Sequence, residues 1–170
     1  FEKMYNKIIS GLNESSDSKK KIFNWALQIG KDYTNLTHAK QIIPFTLKIK
    51  HKIANILIYS KVRKKLGGNI KFFISGGAPL SRKIAEFFSG IGITILEGYG
   101  LTETSPVLTS NTPEEIRFGT VGKKIINVDI KIAKDGEILA KGPNIMLGYF
   151  NNQEATNEVF DDNGWFCTGD

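Results

Sequence analysis

The run Lys71-Phe-Phe-Ile-Ser-Gly-Gly-Ala-Pro-Leu-Ser-Arg-Lys-Ile-Ala-Glu-Phe-Phe-Ser-Gly-Ile-Gly-Ile-Thr-Ile-Leu96 decides the fold. Lys71 to Ser75 is a short apolar, aromatic-rich run bounded by turn residues, which predicts a buried strand. Gly76-Gly-Ala-Pro-Leu80 breaks it, and Ser81 is a good helix N-cap. Ile84, Phe87, Phe88 and Ile91 recur at helical spacing, and Gly90 and Gly92 mark the helix end. Ile93 to Leu96 is again strand-like. Strand, loop, helix and strand within about thirty residues form a βαβ unit, with parallel strands and a right-handed crossover.

The next residues, Glu97-Gly-Tyr-Gly-Leu-Thr-Glu-Thr104, follow the second strand directly. Two glycine loops would therefore leave the carboxyl edge of one sheet, the edge where open α/β sheets bind ligands. Glycine allows close backbone approach. Tyr99 offers a flat face to a base and Thr102 a hydroxyl to a phosphate oxygen. Glu103 offers a hard carboxylate of the kind Mg²⁺ accepts beside substrate phosphates. Either loop alone equally suits an ordinary surface turn, because short motifs recur by chance. Together they point to a nucleotide pocket.

Downstream, Val128, Ile130 and Ile132 alternate with Asp129 and Lys131, the period of a half-buried strand. Asp135-Gly136 signals a hairpin, and Glu137 to Lys141 returns as the partner. Asn152 to Thr156 reads as a short capped helix, Asp161 to Gly164 as a tight turn, and Trp165 to Asp170 closes the chain. Upstream, Asn13 to Ser18 reads as a polar linker, followed by a helical face of Ile22, Trp25, Ala26, Ile29 and Tyr33. Asp32 to Pro44 contains an expected loop, and Ser105 to Phe118 reads as a loop-rich crossing with Pro106 and Pro113. The expected class is α/β: a parallel βαβ layer over residues 1–118, then a mostly antiparallel β part over 119–170.

The 170 residues, 41% hydrophobic and 24% charged, suit a globular domain. No apolar run approaches the ~20 residues of a transmembrane helix. The single Cys167 excludes an internal disulfide and fits a reducing cytoplasm. No Cys, His and carboxylate cluster has zinc spacing. The net charge of +6 is uneven: Lys48, Lys50, His51, Lys52, Lys61, Arg63, Lys64 and Lys65 share one helical region, whose apolar side includes Ile49, Ile53, Ile56, Leu57 and Val62. Such a helix can lie on anionic lipid at the inner membrane face. A solvated outer face on a core-packed helix is the favoured reading. Nucleic-acid binding is not expected, because the aromatics are not interleaved with the basic residues.

Ser75-Gly-Gly-Ala-Pro-Leu80, Glu97-Gly-Tyr-Gly-Leu-Thr-Glu103, Gly136-Glu-Ile with Gly142 and Gly148-Tyr149, and Gly164-Trp-Phe with Thr168-Gly-Asp170 stand in the order and spacing of the adenylate-forming superfamily. The chain resembles most the N-terminal domain of bacterial long-chain fatty acyl-CoA synthetases. Phe1-Glu-Lys-Met-Tyr5 and Tyr59-Ser-Lys-Val-Arg-Lys-Lys-Leu-Gly-Gly68 are similar to that branch. The resemblance implies a two-step ligase that uses ATP, Mg²⁺ and CoA to convert a fatty acid to acyl-AMP and then acyl-CoA.

It further implies that Gly76, Gly77, Ala78 and Pro79 lie along the adenine, with Tyr99 stacking on its other side. Glu97, Gly98 and Gly100 would shape the wall towards the acyl carboxylate. Thr102 would hydrogen-bond the α-phosphate, Glu103 would bind Mg²⁺, and Asp170 would take the ribose hydroxyls. The Gly136 to Tyr149 segment would be structural. The superfamily's phosphate loop would precede Phe1 and its C-terminal lid would follow Asp170, which makes an internal, inactive fragment the expectation. A peptide-synthetase-like adenylation domain and a non-catalytic nucleotide-binding module are the alternatives.

Overall fold

The computed structural model describes residues 1–170, which form two compact units. The first comprises Phe1–Ile74, Pro79–Leu96 and Ile116–Gly119; the second comprises Ser75–Ala78, Glu97–Glu115 and Thr120–Asp170. The division falls within one strand, β2 (Thr94–Gly100), whose second half is paired with later strands.

The first unit is mainly helical. Helices α1 (Glu2–Asn13) and α2 (Asp17–His38) are followed by a continuous helical stretch, in which α3 (Phe45–Ala54) passes through a π turn (Asn55–Tyr59) into α4 (Ser60–Lys65). The loop expected between Asp32 and Pro44 is shorter than the polarity of Asn35 to Ala39 suggested, because α2 continues to His38. Strand β1 (Phe72–Ser75) and helix α5 (Arg82–Gly90) complete the strand–helix–strand unit with β2. Ser81 occupies the N-cap of α5, but its side chain makes no capping bond.

Ala26, Ile29, Ala54, Tyr59, Ile84, Phe88, Ile91, Ile93 and Ile95 form the core of this unit. The helical spacing of Ile84, Phe88 and Ile91 turns them to one face, and α5 lays that face on α2. The helices approach so closely that a Cβ on Gly30 would stand 2.2 Å from the Gly90 carbonyl oxygen. Tyr59, fully buried, donates its hydroxyl to the Ala26 carbonyl.

Two expectations about this unit are corrected. Strand β1 is not buried, since Phe72 and Ile74 are 43% and 70% exposed. It is the end strand in the order β1-β2-β3-β4, so its apolar run has one covered neighbour rather than two. On the basic helical stretch, Ile49, Ile53, Ile56 and Leu57 are exposed rather than packed. The inward face of that stretch is instead carried by Ala54 and Tyr59, with Leu47, Ile58 and Val62 packed beside them. Ala54 and Tyr59, not Ile49, Ile53 or Ile56, carry the buried side of the stretch.

In the second unit, β3 (Val107–Ser110) pairs antiparallel with β2, and β4 (Lys123–Lys124) pairs antiparallel with β3. The expected loop from Ser105 to Phe118 therefore contains a strand, which Pro106 precedes rather than breaks. A separate antiparallel sheet contains β5 (Asp129–Ile132), β6 (Ile138–Lys141) and β7 (Phe166–Cys167). The Asp135-Gly136 turn, with Gly136 at φ 101°, sets a register in which Ile132 faces Ile138. Helix α6 (Gln153–Glu158) is capped by the Asn152 side chain, which accepts from Ala155 N. Leu108, Val128 and Ala140 form the buried core here, with Tyr99, Leu101, Ile125, Ile130 and Ile145 against it. The parallel-plus-antiparallel α/β class is thus observed.

Candidate functional site

All the candidate residues except Pro79 fall in the second unit. Their frame is β2, which does not end at Leu96 but runs through the motif to Gly100. Glycine weakens an ordinary strand and is kept where another backbone comes close. That is the case here. A Cβ on Gly100 would lie 1.7 Å from the Pro106 carbonyl oxygen, and one on Gly98 would lie 3.1 Å from that of Thr109. The glycine at 100 is required by the chain's own crossing into β3, and a ligand need not be invoked for it. Gly76 is 3.6 Å, by the same measure, from the Gly98 carbonyl oxygen. The two glycine loops therefore lie side by side, with Gly76, Gly77 and Ala78 exposed and Gly77 at φ 80° in open space. Glu97 is buried, and its carbonyl accepts from Asn111 N at 2.8 Å.

After β2 the chain makes a single 3₁₀ turn, Thr102–Thr104. Thr104, fully buried, fixes this turn from inside: its hydroxyl accepts from Leu101 N at 2.9 Å and donates to the Pro106 carbonyl at 2.6 Å. The segment Gly142–Tyr149 fixes it from outside. Met146 N donates to the Glu103 carbonyl at 2.7 Å, and Asn144 Nδ2 donates to the carbonyls of Thr104 at 2.7 Å and Val107 at 3.1 Å. The Tyr149 hydroxyl donates to Glu103 Oε1 at 3.1 Å. Desolvation, and then the Glu103 carboxylate, hold that phenol above its ordinary range, so it stays protonated as the donor. Thr102 is exposed at the head of the turn.

Asp170 is placed by the other sheet. Ile138 N donates to the Asp170 carbonyl at 3.0 Å, Thr168 Oγ1 donates to the Ile138 carbonyl at 2.8 Å, and Gly169 N donates to Glu137 Oε1 at 2.8 Å. Glu137 and Ile138, the last two residues of the Gly136-Glu-Ile motif, thus carry Thr168-Gly-Asp170. Across the site the Tyr99 hydroxyl donates to Asp170 Oδ2 at 2.7 Å. Burial, chiefly, pushes the Tyr99 phenol up to about 12, with Thr168 opposing and Asp170 adding to the effect.

The structure therefore joins Tyr99 to Asp170 and Gly76 to Gly98, and leaves Glu103 facing Tyr149. Sequence reasoning missed Thr104, Asn144, Glu137 and Tyr149. Thr104 bonds locally, to Leu101 and Pro106, but the other three bond to partners 32 to 46 residues away, and no local periodicity marks them.

No three His, Cys or carboxylate side chains gather into a cage. A cation at Glu103 would then be held by one carboxylate, water and the oxygens of the ligand. That is the pattern suited to Mg²⁺ with phosphates, and the residues fit it. Burial, then Glu137 and other nearby acids, push the Cys167 thiol up, which disfavours its thiolate.

Residues 13–150 match the family described as AMP-binding enzyme. The chain is 40% identical, over its whole length, to long-chain-fatty-acid–CoA ligase FadD15 of Mycobacterium bovis, of which it spans 28%. It is 36% identical to long-chain-fatty-acid–CoA ligase ACSBG2 of Rattus norvegicus, again over its whole length and 26% of that protein. Among solved structures it is similar to apo MatB from Rhodopseudomonas palustris, with a TM-score of 0.57 and 29% identity over 83% of this chain and 30% of that one. O-succinylbenzoate coenzyme A synthetase from Bacillus subtilis, in complex with ATP and magnesium ion, aligns with a TM-score of 0.53 and 30% identity over 65% of this chain and 27% of its own. The chain thus spans less than a third of the length of these curated relatives.

Proposed function

We propose, from the fact that this chain belongs to the AMP-binding enzyme family, that the protein carrying it activates a long-chain fatty acid as its CoA thioester. The observation that supports the reading best is the Thr102–Thr104 turn. It is fixed from both sides, yet it leaves Thr102 exposed and presents Glu103. A turn so constrained suits preorganised contacts to charge that develops during reaction.

In the first step the fatty carboxylate attacks the α-phosphorus of ATP, and pyrophosphate leaves with the electron pair of the P–O bond. In the second the CoA thiol, losing its proton, attacks the acyl carbon, and AMP leaves. Gly76, Gly77, Ala78 and Pro79 line the adenine, Tyr99 stacks on it, and Glu97, Gly98 and Gly100 form the wall towards the acyl group. Asp170 accepts the ribose hydroxyls, and Thr102 donates to the α-phosphate. Glu103 is the residue that would hold Mg²⁺, which supplies charge neutralisation on the phosphates. In this scheme the substrates are fatty acid, ATP and CoA, all small molecules. No helix is long and apolar enough to cross a membrane. The exposed Ile49, Ile53, Ile56 and Leu57 beside basic residues leave a peripheral lipid contact as a secondary feature of the same proposal.

The test is exchange of labelled pyrophosphate into ATP by the protein that carries this chain. Exchange stimulated by long-chain fatty acids, and not by amino acids or by aryl or malonyl acids, is expected. Stimulation by an amino acid would favour the peptide-synthetase-like alternative, and nucleotide binding without any exchange would favour the non-catalytic module.

A further inference from the structure

We infer that Tyr149 is a positioning residue for Glu103, an inference that rests on the metal role given to Glu103 above. The segment Gly142–Tyr149 holds the Thr102–Thr104 turn and the adjoining Val107 by four hydrogen bonds, three from Met146 N and Asn144 to the main-chain carbonyls of Glu103, Thr104 and Val107 and one from the Tyr149 hydroxyl to Glu103 Oε1. The first three fix the backbone between residues 103 and 107. Only the fourth fixes the carboxylate itself.

A glutamate has three side-chain torsions, and a solvent-facing one samples several rotamers. Binding one oxygen to a phenol selects a rotamer and leaves Oε2 available to a cation. The outer partner of a metal carboxylate does this work in metal sites generally. Tyr149 is itself anchored. Its backbone N donates to Thr156 Oγ1 at 2.8 Å, and that hydroxyl donates to the Asn152 carbonyl at 2.8 Å. The adjacent Gly148, at φ 153°, keeps its Cα against Thr156, where a Cβ would meet Cγ2 at 2.7 Å. Helix α6 therefore aims the phenol, and the phenol aims the carboxylate. The segment from Gly136 to Tyr149 is thus more than support for the fold.

The experiment compares Tyr149→Phe, Glu103→Gln and the double variant in the protein that carries this chain. Tyr149→Phe removes one hydroxyl from an exposed ring and keeps the backbone bond to Thr156, so folding is retained. Binding of Mn²⁺ in the presence of ATP is read by electron paramagnetic resonance, alongside ATP affinity without metal and the thermal midpoint. Tyr149→Phe is expected to weaken Mn²⁺ binding on the order of tenfold, the low end for loss of an outer-shell partner. ATP affinity without metal and the thermal midpoint should stay at their parental values. Adding Tyr149→Phe to Glu103→Gln should then cost little more, because residues that act through one another are not additive.

If Glu103→Gln weakens Mn²⁺ binding and Tyr149→Phe does not, the positioning inference is overturned while the role of Glu103 stands. If Glu103→Gln has no effect, the metal reading of the site has failed, and this inference with it. A fall in thermal midpoint with unchanged metal affinity would show that Tyr149 serves the fold alone.

Discussion

Tyr99 makes a contact that stacking alone would not require of it. A ring that only stacked on adenine would make Tyr99→Phe silent, which is what the glycine-flanked motif by itself suggests. The hydrogen bond to Asp170 at 2.7 Å changes that expectation. Removing the hydroxyl frees the carboxylate that the ribose would meet, so Tyr99→Phe should raise KM for ATP about three- to tenfold, the scale of one charge-assisted hydrogen bond at a partly exposed site. Tyr99→Ala, which also loses the ring, should raise it further. In both, kcat should change less than KM, because these contacts are made in ground and transition states alike. Steady-state kinetics over ATP concentration checks this, and identical KM for Phe and wild type would return Tyr99 to a stacking role alone.

Two elements owe their geometry to small, testable details. The crossing of β2 into β3 leaves no room for a Cβ at Gly100, so Gly100→Ala should destabilise by about 1–3 kcal/mol, the usual range for overpacking. Chemical denaturation measures this, and an unchanged midpoint would mean that the crossing relaxes without cost. In the helical unit, burial pushes the Tyr59 phenol up to about 12, against an ordinary 10. A phenol whose pKa is raised in the fold stabilises it fully below pH 10, and that contribution is lost as pH climbs through 12. Tyr59→Phe should lose about 1 kcal/mol near neutrality, for the missing bond to Ala26, and should show a shallower fall in stability between pH 10 and 12 than wild type. Parallel curves for the two proteins would contradict it.

These elements also mark what sequence could disclose. The α5 face was legible from Ile84, Phe88 and Ile91, and the β5–β6 hairpin from Asp135-Gly136, because both depend on residues within one or two turns of each other. The length of β2 was not. Gly98 and Gly100 read as loop residues until the close approach of Thr109 and Pro106 explains them. Nor was the inward face of the basic helix, where Ala54 and Tyr59 pack in preference to three isoleucines and a leucine. The candidate positions were named from motif order. The phenols that hold two of them, Tyr99 on Asp170 and Tyr149 on Glu103, join residues 71 and 46 apart and leave no local signature.

At the scale of the whole molecule, the chain holds the two glycine loops, the Thr102–Thr104 turn and Asp170, and its curated relatives are more than three times as long. The central claim is that the turn is built to set Glu103 against a nucleotide-bound cation. The most direct measurement separates the two half-reactions in Glu103→Gln, with Glu115→Gln as the control. Glu115 is an exposed partner of Lys123 at 2.6 Å, and losing such a surface pair costs ~1 kcal/mol or less. In Glu103→Gln, acyl-adenylate formation should fall on the order of 10²-fold, as when one preorganised electrostatic partner is lost. Added Mg²⁺ should restore part of it, and thioester formation from supplied acyl-AMP should be nearly unaffected. Equal loss in both half-reactions, or equal loss in Glu115→Gln, would contradict the account and make Glu103 a residue of the fold.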